Sequence, residues 1–230
     1  DYKVKITVPS DHIVASTGSL QNAKDVLSKT ELDRFEKAKT SFDKPVIIVT
    51  QDEATKKEKT KAKTKKTWEF HADNVRDFAF ASSRKFIWDA QAVKINDKTP
   101  LAMSFYPKEG NPLWEKESTL AVKNTLEVYS RMTIDYPYPV AISVHAASIG
   151  MEYPMICFNF GRPNKDGTYS AGKRTGMIGV IVHEVGHNFF PMIINNDERQ
   201  WTWMDEGINS FVQLVTELER YPNDNWSRGL

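Results

Sequence analysis

The residues best suited to chemistry lie between Gly176 and Phe211, in the stretch GMIGVIVHEVGHNFFPMIINNDERQWTWMDEGINSF. Within it, His183-Glu184-Val185-Gly186-His187 sets two imidazoles four residues apart, with a carboxylate beside the first. On a helix, positions i and i+4 lie one turn apart on one face, so both rings can converge on a single point. Two neutral imidazoles suit Zn²⁺, and a catalytic zinc keeps three protein ligands and leaves one position to water. Glu184 stands where its carboxylate can take a proton from that water. Glu206, in a second apolar segment, is the candidate third ligand.

These side chains need elements to hold them. Met177 to Val182 is apolar almost all round, which predicts a helix buried within a larger domain. Histidines and a glutamate on such a helix must find partners, because unpaired polar groups are costly inside a protein. Pro191 cannot continue a helix interior, so the helix is expected to end near Phe190. A polar connection from Asn195 to Gln200 leads to Trp203-Met204-Asp205-Glu206-Gly207. A second helix then runs to about Arg220, ahead of Pro222. Two helices facing each other across a metal is the arrangement these signals predict.

Eighteen residues separate His187 from Glu206, which resembles the His-Glu-x-x-His-x₁₈-Glu signature of the gluzincin metallopeptidases. Trp203 to Gly207 resembles the third-ligand block of the aminopeptidase N (monozinc aminopeptidase) family, and the similarity extends upstream of Phe160. That resemblance implies one zinc per chain, held by His183, His187 and Glu206, with Glu184 as general base. Ile149-Gly150-Met151-Glu152-Tyr153-Pro154 resembles the family's Gly-x-Met-Glu-Asn exopeptidase motif, with Ile149 in place of Gly and Tyr153 in place of Asn. It implies that Gly150, Met151 and Glu152 bind substrate. A glutamate facing the metal can form a charge-assisted pair with a free α-ammonium group, which restricts cleavage to chain ends. The implied partners are peptides with a free N-terminus.

Other parts of the family pattern have no match between Asp1 and Leu230. They are an oxyanion-stabilising tyrosine, a second amine-binding residue and a closing helical domain. Tyr221, the one tyrosine after Glu206, lies too near the end of its helix to serve. The resemblance therefore covers the tail of an N-terminal β-domain, residues 1–108, and the first half of a thermolysin-like catalytic domain, residues 109–230. The implied fold class is α+β, and this stretch alone is expected to be inactive. Two other readings stay open: a thermolysin-type endopeptidase, indifferent to Glu152, and a non-catalytic module stabilised by zinc.

Length and composition fit one large domain or two small ones. The 230 residues carry a formal net charge of +1, which argues against a dedicated nucleic-acid binder, and 40% are hydrophobic, enough for a proper core. No run of about eighteen apolar residues spans a membrane. A single cysteine, Cys157, excludes an internal disulfide and reads as a small buried hydrophobe.

Along the chain, Tyr2 to Val8 alternates as a half-buried strand, and His12 to Thr17 reads as a second. Further strands are expected at Pro45–Gln51, Trp68–His71, Val75–Ala81, Phe86–Val93 and Leu101–Tyr106, with a short charged helix over Thr30–Thr40. Such a series predicts an antiparallel sandwich or saddle. The lysine-rich run from Lys56 to Lys66 has no interleaved aromatics to stack on bases and reads as a solvated loop. Pro107 to Pro112 is the expected domain boundary. Beyond it come a helix over Trp114–Met132 and buried strands at Val140–His145 and Met155–Phe160. His145 lies outside the three-ligand set and reads as a satisfied core histidine.

Overall fold

A computed structural model describes residues 1–226, so the last four positions of the expected 109–230 unit lie outside the described residues. The N-terminal alternation forms β1 (Tyr2–Pro9), with Ile6 and Val8 buried and Lys3, Lys5 and Thr7 exposed. Next come β2 (Ile13–Ser16), β3 (Ser19–Leu20), α1 (Ala23–Val26), α2 (Lys29–Ala38), β4 (Val46–Val49), α3 (Gln51–Glu58), β5 (Lys65–Ala72) and β6 (Phe80–Ser83). β5 pairs antiparallel with β1 from Tyr2–Ala72 to Pro9–Lys65 and with β3 on its other side, while β2 pairs with β6.

Three sequence expectations shift here, the first being the strand expected over Val75–Ala81, which forms only from Phe80 as β6. The strand expected to reach Gln51 stops at Val49, because Thr50 caps α3: its hydroxyl accepts from Glu53 N, and the Glu53 carboxylate accepts from Thr50 N at 2.8 Å. Consequently the lysine-rich run is a loop only over 59–64. Lys56 and Lys57 close α3, where cations complement the helix dipole, and Lys65 and Lys66 open β5. Lys57 also pairs with the buried Glu31 at 2.6 Å.

The second half contributes β7 (Ile87–Ala92), β8 (Leu101–Tyr106), α4 (Leu113–Met132), β9 (Val140–His145), β10 (Gly150–Tyr153), β11 (Ile156–Asn159), α5 (Ala171–Gly186) and α6 (Ile208–Arg220). One six-stranded sheet runs in the order β10-β11-β9-β8-β7-β4. It is mixed rather than wholly antiparallel: β8–β9 and β9–β11 are parallel, and α4 is the crossover between β8 and β9. All six residues of β7 and of β8 are buried, as expected of strands covered on both faces. The chain is thus an α+β protein. Strands on both sides of Pro107–Pro112 belong to this one sheet, and that segment joins β8 to α4. Against the sheet packs α4, and α5 and α6 pack on α4 and on each other. No described helix is long and apolar enough to cross a membrane.

Candidate metal centre

Ser170 caps α5 by accepting from Lys173 N, and the helix runs into the interior, with Met177, Ile178, Ile181, Val182 and Val185 fully buried. His183 lies in its last turn and His187 caps it. Beyond, a wider π-type turn over Asn188–Ile193 breaks at Phe190 (φ −132°, ψ 110°), one residue before Pro191. The break turns the Phe190 carbonyl onto His187, whose Nδ1 donates to it at 2.8 Å. Asp205 Oδ1 also lies 2.9 Å from Nδ1 but makes no directed hydrogen bond, so it acts as a nearby charge. On His183, Nδ1 lies 3.0 Å from Gln213 Oε1.

With both Nδ1 atoms against oxygen acceptors, the two Nε2 atoms face each other 3.1 Å apart. Glu206 reaches the same point, its Oε2 lying 3.1 Å from His183 Nε2 and 3.7 Å from His187 Nε2. It does so from a π-type turn, Trp203–Gly207, that precedes α6, not from within a regular helix as the sequence predicts. Ligand atoms around a tetrahedral zinc lie roughly 3.3 Å apart, given bonds of about 2.0–2.1 Å. The observed spacings fit. Two nitrogen lone pairs and a carboxylate aimed at one point form a donor set that a cation would satisfy.

Glu184 is buried beside this set. Burial pushes its carboxyl up to about 8, and the charges of Glu152 and Glu206 push in the same direction. Glu152 comes from β10, the edge strand, and its carboxyl lies beside that of Glu184. Oxygen atoms of Glu152 and Glu184 and a nitrogen of His187 lie within 4.8 Å of one another. Gly150 explains the close approach of β10 to α5: a Cβ there would meet Glu184 Oε1 and sit 2.8 Å from Val180 Cγ2. Met151, the alternate residue on the strand, is exposed.

Other residues read from the sequence lie elsewhere. His145 ends β9, its Nε2 accepting from Arg162 Nε at 3.1 Å and its ring 5.1 Å from Trp114; burial pushes its pKa down to about 4. Cys157 is buried, with its thiol donating to the Ile142 carbonyl. Tyr221 is buried too, its hydroxyl accepting from Asn124 Nδ2 at 3.0 Å. Three residues of the site were not read from the sequence: Asn209, Gln213 and Glu217 on α6, all fully buried. Asn209 Nδ2 donates to the His183 carbonyl at 2.9 Å, and Tyr129 on α4 donates to Asn209 Oδ1 at 2.8 Å. Gly186 makes room, since a Cβ there would strike both partners. Their spacing of four was the available signal.

No family model and no curated protein matches the chain. Solved structures do match, and they assign it the fold of part of an M1 zinc metallopeptidase. The M1 zinc metallopeptidase of Deinococcus radiodurans aligns with a TM-score of 0.61 at 15% identity, covering 96% of this chain and 41% of that one. A variant of that enzyme bound to a Tyr-Ser-Ala substrate aligns at 0.56 and 14%, covering 95% and 40%. Legionella pneumophila aminopeptidase A in complex with aspartic acid aligns at 0.63 and 11%, covering 95% and 23%. The chain therefore spans less than half the length of these proteins.

Proposed function

We propose that this chain carries the metal-binding half of a zinc aminopeptidase, which removes N-terminal residues from peptides. The observation that supports it most is the convergence of His183 Nε2, His187 Nε2 and Glu206 Oε2 at 3.1–3.7 Å, with two further carboxylates alongside. His183, His187 and Glu206 would hold one Zn²⁺. When bound, that ion polarises a scissile carbonyl and lowers the pKa of a coordinated water to about 7. Glu184 is the general base, holding and passing on a proton at its carboxylate. Positive charge among the three ligands and at Glu152 favours its ionised form, against the burial that now opposes it.

Glu152 pairs with the free α-ammonium group, and the edge strand at Gly150 and Met151 lies beside the substrate. The likeness of the fold to peptidases that bind an amino acid or a tripeptide supports that class of ligand. We place no unit boundary at residue 108, because β4, β7 and β8 share one sheet with β9 to β11. The test is hydrolysis of unblocked against N-acetylated amino-acid amides by the full-length protein, with and without chelator. Chelator-sensitive turnover confined to unblocked substrates, lost in Glu152→Gln, is expected. Equal turnover of blocked substrates would turn the reading to an endopeptidase, and zinc-bound protein without turnover would end it.

A further inference from the structure

We infer that Gln213 and Glu217 are positioning residues that fix the tautomer of His183, an inference resting on the zinc reading above. The two lie one turn apart on α6 and are 1% and 0% exposed. Gln213 Nε2 lies 2.8 Å from the Gly179 carbonyl and 2.8 Å from Glu217 Oε1. Both neighbours are acceptors, so the donor end of the amide must point at them. Turning the amide over would set its oxygen against two other oxygens in a buried site, where unmade hydrogen bonds cost most.

Oε1 therefore faces His183 Nδ1 at 3.0 Å, nearer than Asn209 Nδ2 at 3.5 Å, whose shorter bond goes to the His183 carbonyl at 2.9 Å. An amide oxygen has no proton to give, so Nδ1 carries it. Only Nε2 then retains a lone pair, directed at His187 Nε2 and Glu206. Asn209 adds to this by donating to the carbonyl of His183 itself. The order of control is Glu217, Gln213, His183, each setting the orientation of the next.

A neutral amide also suits the place. Glu152, Glu184, Asp205 and Glu206 already crowd the site with carboxyl groups, and an amide orients the ring without adding charge. The ligand partner is thus held by hydrogen bonding alone, the general task of groups behind a metal-bound histidine.

The first test needs no metal. Long-range ¹H–¹⁵N spectra of the zinc-free full-length protein should show His183 protonated at Nδ1, and protonation at Nε2 overturns the inference. Zinc dissociation constants from chelator competition supply the second readout. Gln213→Leu should weaken zinc by about 10–100-fold with the helix content unchanged. Glu217→Gln can keep an oxygen facing Gln213 Nε2 and leaves Gln213 donating to the Gly179 carbonyl, so zinc affinity should stay within about threefold of the parent. A purely structural role would lower melting temperatures and leave the zinc constants alone. Folded Gln213→Leu binding zinc within about twofold of the parent overturns the inference while the zinc reading stands. A parent that binds no zinc sinks the zinc reading, and the tautomer still decides this one. Should Gln213→Leu fail to fold, the parent spectrum decides it.

Discussion

Asp89 lies on β7, fully enclosed beneath α4, and its protonation is coupled to a chain of hydroxyls. Tyr106 donates to its Oδ2 at 2.7 Å, and the Thr119 hydroxyl lies against Oδ1. Thr119 has one proton, yet its oxygen is also 2.7 Å from Ser104 Oγ, which in turn donates to Ser118 at 2.7 Å. Every contact is satisfied at once if the Asp89 carboxyl keeps its proton and gives it to Thr119, which donates onward to Ser104. Burial pushes the Asp89 pKa from 3.8 up to about 7, in keeping with a neutral carboxyl. Between those values the unfolded chain has released the proton and the folded chain retains it. Stability from this group is therefore full below the unfolded pKa and is lost as pH rises through about 7. The loss is up to about 1.4 kcal/mol per pH unit, on the order of 4 kcal/mol over the window. Asp89→Asn keeps an acceptor for Tyr106 and a donor for Thr119, and it cannot ionise. Urea unfolding of parent and variant from pH 4 to pH 8 should show the variant gaining on the parent by about that amount, since distant titrating groups cancel in the difference. Parallel curves, with a difference that changes by less than about 1 kcal/mol, would refute a neutral, proton-sharing Asp89.

Glu184→Gln should retain zinc and lose about 10²–10⁴-fold in turnover, because the amide fills the same space but accepts no proton; zinc content and kcat measured on one preparation check this. Gly150→Ala puts a methyl 2.8 Å from Val180 Cγ2 and against the Glu184 carboxyl, so it should cost about 1–3 kcal/mol by denaturant titration and reduce turnover as β10 moves off α5. Tyr129→Phe takes away the hydroxyl that donates to Asn209, leaving a buried amide oxygen short of a partner at a cost of about 1–3 kcal/mol, measured the same way.

What could be read in advance follows from how far each signal reaches along the chain. His183 and His187 depend only on the turn of one helix, so their convergence is written into a spacing of four. The kink after His187 is local too, since Pro191 forbids a regular continuation. Glu152 needs more: alternation places it on one face of a strand with Gly150, but only the pairing of β10 with β11 brings that face over α5. The mixed sheet was missed for the same reason, because β8 and β9 become neighbours through a crossover and no turn between them announces it. The α6 residues are a different case, since their period was visible and its meaning was not. Periodicity says which residues share a face, and composition usually says which face is buried. Here Phe211 and Leu218 are 61% and 55% exposed, while Asn209, Gln213 and Glu217 are closed off between helices. The usual rule therefore points the wrong way at these positions. It fails where the facing helix has its own polar groups to satisfy: the His183 ring nitrogen and carbonyl and the Gly179 carbonyl lie opposite this stripe. A polar face turned inward is affordable only against such partners, so polar residues at a spacing of four, downstream of a metal-binding helix, are a reason to search for the ligand they hold.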